Sequence, residues 1–240
     1  GQGKRGGGVL GPAQWERDAH RGDIQAQFEL GLCFMGGLGC EQDPPRAHEW
    51  FHKAAEGGHV DAQAALASQY STGSGVEEDQ AAANLWLQKA ADQGHLDAAY
   101  DLALRLSDGV GGEANLAKSV MLLRKVSSRG FAAAQYELAQ RYEEGGKGVP
   151  RDARLALKYY QQAADGGDID ALYELGTMQL IGDLAPKDPA AAMPRLRAAA
   201  ERGHAHAQYV LAVLYDTGSE SPPADGAQSD PESRAGPVPD

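Results

Sequence analysis

Seven histidines, two cysteines and a few adjacent acids are the residues of this 240-residue chain that could do chemistry. His48 and His52 stand four apart, which would put two imidazoles on one helix face. Zinc tolerates that spacing, but a third or fourth ligand is not identifiable. His204 and His206 share that lack. His59, His95 and His204 occupy equivalent turns, and stacked helices hold such positions about 8–10 Å apart per step, so they cannot converge on one ion. Cys33 and Cys40 could form a disulfide only with their Cα atoms within about 7 Å; otherwise Cys40 merely stands where valine does in Gly75-Val76. Export would favour the bridge. Glu77-Glu78-Asp79 and Glu143-Glu144 are neighbours at loops, whereas glycosidase-type chemistry needs two carboxylates facing each other across a cleft. Gly1-x-Gly3-x-x-Gly6 has no strand before it, and Lys147 in Gly-Gly-Lys-Gly lacks the rest of a phosphate loop. Without a serine–histidine–acid set either, the expectation is a non-enzyme with no catalytic residue, metal or cofactor.

Charge narrows the partner. The chain holds 34 acidic and 22 basic residues, a net charge of −12. A nucleic-acid binder needs the opposite excess to displace counterions; the acidic balance instead predicts a partner with a basic patch. No apolar run approaches the roughly 20 residues of a membrane span.

The polar residues follow a period, and the period defines the elements that carry them. Gly22, Gly58, Gly94, Gly130, Gly167 and Gly203 recur at intervals of 36, 36, 36, 37 and 36. Four residues after each comes an alanine (Ala26, Ala62, Ala98, Ala134, Ala171, Ala207), and four further a leucine (Leu30, Leu66, Leu102, Leu138, Leu175, Leu211). The next residue is always small: Gly31, Ala67, Ala103, Ala139, Gly176 or Ala212. Such registers predict an internal repeat.

Each repeat reads as two helices. Ala26, Leu30, Phe34 and Gly37 form one helical stripe, and the small residue after the leucine admits a neighbouring helix. A glycine turn follows, then Asp43, Asp79, Asn115, Asp152 or Asp188, each a good N-cap. Pro44 and Pro189 fit the first turn, where a missing N–H is harmless. The second helix, as in Trp86-Leu87-x-Lys89-Ala90-Ala91, stops at the recurrent glycine, a C′ position. The single 37-residue interval reflects one extra residue in Gly145-Gly146-Lys147-Gly148-Val149, which a loop absorbs.

Five full repeats are expected, at about 23–58, 59–94, 95–130, 131–167 and 168–203. A half-repeat from Trp15 to Arg21 and a capping helix at 204–218 close the stack. The repeat domain thus covers 13–218. Residues 1–12 read as a flexible segment. Residues 219–240, rich in proline and acid and poor in apolar anchors, read as a disordered tail.

Ala62-Gln63-x-x-Leu66-Ala67-x-x-Tyr70-x-x-Gly73-x-Gly75-Val76-x-x-Asp79, followed by Ala83-x-x-Trp86-x-x-Lys89-Ala90-Ala91-x-x-Gly94-His95, resembles the Sel1-like repeat of the tetratricopeptide superfamily. The third repeat departs with Leu106 and Leu122 for the tyrosine and tryptophan, and the fifth with Gln179 and Arg195. The resemblance implies an all-α, right-handed superhelical solenoid of antiparallel helix pairs serving as a protein-interaction scaffold or adaptor. It leans towards export to a bacterial periplasm or envelope without fixing the compartment. An immunity-type inhibitor of a secreted enzyme or toxin is an alternative, and a weak β-lactamase-like hydrolase a remoter one. The cysteine positions of the disulfide-bonded, penicillin-linked relatives correspond here to alanines such as Ala54 or Ala55 and Ala62.

The first helix carries a second stripe, nearly opposite the first at about 100° per residue. Two residues past the repeating alanine stand Phe28, Ala64, Tyr100, Tyr136, Tyr173 and Tyr209. One residue before it stand Gln25, Asp61, Asp97, Ala133, Asp170 and His206. By analogy with the tetratricopeptide groove this is the concave lining. The expected contact set is therefore Phe28, Asp61, Asp97, Tyr100, Tyr136, Asp170, Tyr173 and Tyr209. Tyrosine gives large contact area at low entropic cost. The same tyrosines could instead pack against the next repeat, and the aspartates could be an ordinary solvated face. Sequence leaves both readings open.

Overall fold

A computed structural model describes residues 12–146 and 149–217. The expectations placed on residues 1–11, on Lys147 and on the tail from 219 lie outside them. Twelve α-helices account for the described residues: α1 (Pro12–His20), α2 (Ile24–Gly36), α3 (Pro44–Glu56), α4 (Val60–Thr72), α5 (Gln80–Asp92), α6 (Leu96–Asp108), α7 (Leu116–Ser127), α8 (Ala132–Glu144), α9 (Ala153–Asp165), α10 (Ile169–Ile181), α11 (Pro189–Glu201) and α12 (Ala205–Asp216). Among them no helix is long and apolar enough to cross a membrane. The fold is an all-α repeat solenoid, as the period predicts, with α1 beginning at Pro12 inside the segment expected to be flexible.

Caps fix where each helix starts and stops. The side chains of Asp43, Asp79, Asn115, Asp152 and Asp188 accept a backbone N–H at the starts of α3, α5, α7, α9 and α11. Each satisfies a donor that has no partner within its helix. At the other end of α3, Gly58 sits at φ +93, its N–H donating to Ala55 O and that of His59 to Ala54 O. This paired closure needs the left-handed conformation that glycine adopts freely. The turn thus ends one helix and, through His59, opens the next.

The chain divides into two compact units, meeting in sequence at Asp168 and Ile169. In the first, α1 to α9 pack each on the next. Leu30, Leu66, Leu102 and Leu138 are essentially without solvent exposure, as are Ala47, Ala83 and Ala156 on the second helices. A fully buried leucine contributes about 2 kcal/mol, so one register of the sequence supplies much of the core. The small column works as expected: a Cβ built on Gly31 would lie 2.5 Å from Cδ1 of Phe51. In the second unit, α11 packs on α10 and α12. Met193, Leu196 and Leu211 centre its core, and a Cβ on Gly176 would meet Leu196 at 2.9 Å.

Three further ties supplement apolar packing. Gln27, Gln63, Gln135 and Gln208 each donate Nε2 to a carbonyl near the end of the preceding second helix, on Ala19, Ala55, Ser127 and Ala200. The glycine turn of one repeat lies against the second helix of the one before, and a Cβ on Gly75 would come within 2.3 Å of Pro44 O. Arg105 reaches back from α6 to Asn84, Ser71 and Gln80. Between α8 and α9 a bridge joins Gly146 and Val149.

Where the repeat departs from its aromatic pattern, the substitutes fit each other. Tyr142 and Tyr159 stack with planes 5° apart. At the equivalent positions of the fifth repeat Arg195 donates to Gln179 Oε1 at 3.1 Å. One departure alone would leave a polar group without its partner; together they are satisfied.

Candidate functional site

All eight expected contact residues lie on first helices: Phe28 on α2, Asp61 on α4, Asp97 and Tyr100 on α6, Tyr136 on α8, Asp170 and Tyr173 on α10, and Tyr209 on α12. Their neighbours are chiefly the residues that cap the following first helix. Phe28 stacks on His59 with ring centroids 4.3 Å apart, Tyr100 packs on Phe131 at 5.2 Å, and Tyr173 stacks on His204 at 4.4 Å. Tyr136 instead meets Tyr160 edge-on at 5.8 Å, and its hydroxyl accepts from Gln140. Tyr209 is 70% exposed. Most of the aromatic column therefore helps to pack the repeats, while its last member is solvent-facing.

The aspartate column faces the same caps. His59, His95 and His204 each accept a helix N–H at Nδ1, from Ala62, Ala98 and Ala207. With Nδ1 accepting, Nε2 is the ring nitrogen left to donate. That nitrogen points to the preceding repeat: 3.0 Å from Gln25 Oε1 for His59, 3.6 Å from Asp61 for His95, and 3.3 Å from Asp170 for His204. Where the cap is Phe131, α8 has no side-chain cap bond. Asp97, one repeat before it, is exposed and forms no ion pair or side-chain hydrogen bond among the described residues. Asp61 and Asp170 keep side-chain exposures of 64% and 61%.

Behind this face lies a half-buried charged group. Arg141 and Glu137 pair at 3.2 Å with side chains 16% and 17% exposed. Burial pushes the Glu137 carboxyl up, against the opposing pull of Arg141. Burial likewise raises the Tyr100 phenol, with Glu137 adding to it.

Among the described residues no three His, Cys, Asp or Glu side chains are grouped to hold a metal. The His48 and His52 rings lie 6.1 Å apart, tilted 54° to each other. The Cys33 thiol donates to Leu38 O at 3.2 Å, and both cysteines are free. Asp79 is engaged as an N-cap.

Sequence reasoning missed the capping role of the histidines and the glutamine ties. A single signal could have found both: a polar residue fixed at one register in several repeats. It also passed over a local charge reversal. Residues 116–160 hold nine of the 22 basic residues and four of the 34 acidic ones.

These features define an α-helical repeat protein whose ordered side chains serve packing and surface contact. The Sel1 repeat model matches residues 24–59, 60–95, 96–131, 132–168, 169–204 and 205–229, and the chain belongs to that family. It is similar to a protective antigen of uropathogenic Escherichia coli with an SLR fold, at 34% identity and a TM-score of 0.80 over 86% of this chain. The chain spans only 44% of that antigen. It is also similar to a Sel1 repeat protein from Oxalobacter formigenes, at 27% identity and a TM-score of 0.72, covering 82% of this chain and 80% of that one. A looser likeness, to an immunity protein of Pseudomonas aeruginosa, has 25% identity over 83% of this chain and 73% of that one, with a TM-score of 0.46. No curated protein matches the chain.

Proposed function

We propose that the protein is a non-catalytic scaffold that binds another protein through its first helices, with Asp61 and Asp97 of the first unit and, separately, Asp170 of the second holding basic side chains and Tyr209 of the second as an aromatic contact. Sel1 repeat proteins generally mediate contacts between proteins, and membership of that family supports the class of function. The observation that carries the finer reading is the incomplete use of the aspartates. His95 and His204 approach Asp61 and Asp170, yet both carboxylates remain mostly exposed, and Asp97 has no cap histidine to meet. An acid standing free on an otherwise packed face favours a basic partner, and its field speeds encounter more than it adds affinity.

An array of peptides graded in net charge, probed with the purified protein, tests this. Basic members should be retained, retention should fall as salt is added, and Asp97→Lys should reduce it. Retention that ignores peptide charge would sink the proposal.

A further inference from the structure

Within the basic stretch 116–160 a hollow opens on the second-helix side of the third and fourth repeats. There α7 and α9 flank a cavity of about 350 Å³. Val120 and Met121 of α7, Val149 of the loop and Leu155 of α9 give it apolar walls, and Arg124 stands in its lining. Met121 is 61% exposed, unusual for so large an apolar side chain. A second hollow, of about 370 Å³, shares Arg124 and adds Lys158 and Tyr159. The two hollows adjoin at Arg124, which both linings share.

The charge in this groove is unspent. Arg124 donates to the Tyr142 hydroxyl and Lys158 lies near the Tyr159 ring, but neither pairs with a carboxylate among the described residues. One acid, Asp152, stands in the lining beside Arg124 and keeps its charge while capping α9, where it accepts from the N–H groups of Arg154 and Leu155. Across the two linings the cations Arg124 and Lys158 outnumber the one acid, in a chain whose net charge is −12.

We propose that this groove docks an acidic segment of another protein, seating one apolar side chain between Met121 and Leu155 and placing flanking carboxylates on Arg124 and Lys158. Charge complementarity selects the flanks. The cavity is at the small end of ligand pockets, which run from about 300 to 1,000 Å³, so it takes one side chain rather than a helix. A polyphosphate is the weaker candidate, because the apolar walls offer it nothing. The surface is separate from the aspartate-bearing first-helix face and selects a partner of opposite charge.

The test uses a fluorescein-labelled peptide with a single leucine flanked on both sides by glutamates, and reads binding to the full chain by anisotropy. Lys158→Glu should weaken binding about tenfold, Met121→Asp should abolish it, and alanine in place of the peptide's leucine should weaken it. Both sites are exposed, so these variants should melt like the parent; Arg124 is left unchanged because it holds Tyr142. Three outcomes would overturn the proposal. They are no binding by the parent protein, equal binding by parent and variants, and binding of a single-stranded DNA oligonucleotide at least as tightly with the same loss in Lys158→Glu.

Discussion

Tyr173 and His204 lie ring to ring, with centroids 4.4 Å apart and planes 24° from parallel. The same imidazole caps α12 through Nδ1 and turns Nε2 towards Asp170. A residue in the expected binding column thus also holds the next helix in place. Tyr173→Ala removes the stack and exposes the cap, and should cost about 2 kcal/mol. Tyr209→Ala, at a site 70% exposed, should fall within about 0.5 kcal/mol of the parent. Urea melts of the two variants compare them directly. Equal stability would return Tyr173 to the pool of purely binding residues.

The small column offers a test by internal transplant. Gly31 faces Phe51, and a methyl there would lie 2.5 Å from the ring. One repeat later the same two registers hold Ala67 and Leu87, both buried. Gly31→Ala alone should therefore destabilise by about 1–3 kcal/mol through overpacking. Adding Phe51→Leu recreates the second repeat's combination and should recover most of the loss. Thermal melts of the single and double variants measure the coupling, and an additive result would show that the methyl is accommodated some other way.

Local rules made most of the fold readable. Asp79 at a helix start, Gly58 at a helix end and Leu66 on a helical stripe are each specified by residues within a turn or two of themselves. The contacts across repeats were harder, because 36 residues along the chain say nothing about distance in space. Nothing near His59 announces that its ring will meet both Phe28 and Gln25. The exchange of an aromatic pair for Gln179 and Arg195 looks like two unrelated departures until the hydrogen bond between them is seen. For the candidate site, the columns were legible but their division of labour was not. Whether an aspartate is free depends on the cap one repeat later, so Asp97 and Asp170 differ because Phe131 and His204 differ.

Acid should act on His48. Burial holds its imidazole below the ordinary value of 6.5, outweighing the opposing hydrogen bond with Gln69, while His52 lowers it further and Glu49 raises it. Tyr70 meets the ring edge-on. Because the folded pKa is depressed, the unfolded chain binds more protons between that value and 6.5. Stability contributed by the neutral ring is therefore complete above 6.5 and is lost as pH falls through the window. His48→Gln should flatten that part of the curve of stability against pH. An unchanged slope in the variant would assign the dependence to other groups.

Phe131 is the point at which stability and binding should trade against each other. It begins α8 without a side-chain cap bond, and it packs on Tyr100 at 5.2 Å. Phe131→His would place there the residue that caps α6 and α12, with Nδ1 free to accept from the helix and Nε2–H directed back towards Asp97. The cap should stabilise by about 1 kcal/mol, and the Tyr100 contact should become a stack like that of Tyr173 on His204. At the same time Asp97 would gain an internal partner, so basic peptides should bind the variant less well although no contact residue has changed. Denaturant melts and the peptide array read the two effects separately. A variant that gains stability but keeps its preference for basic peptides would show that Asp97 is not the acid that recognises them.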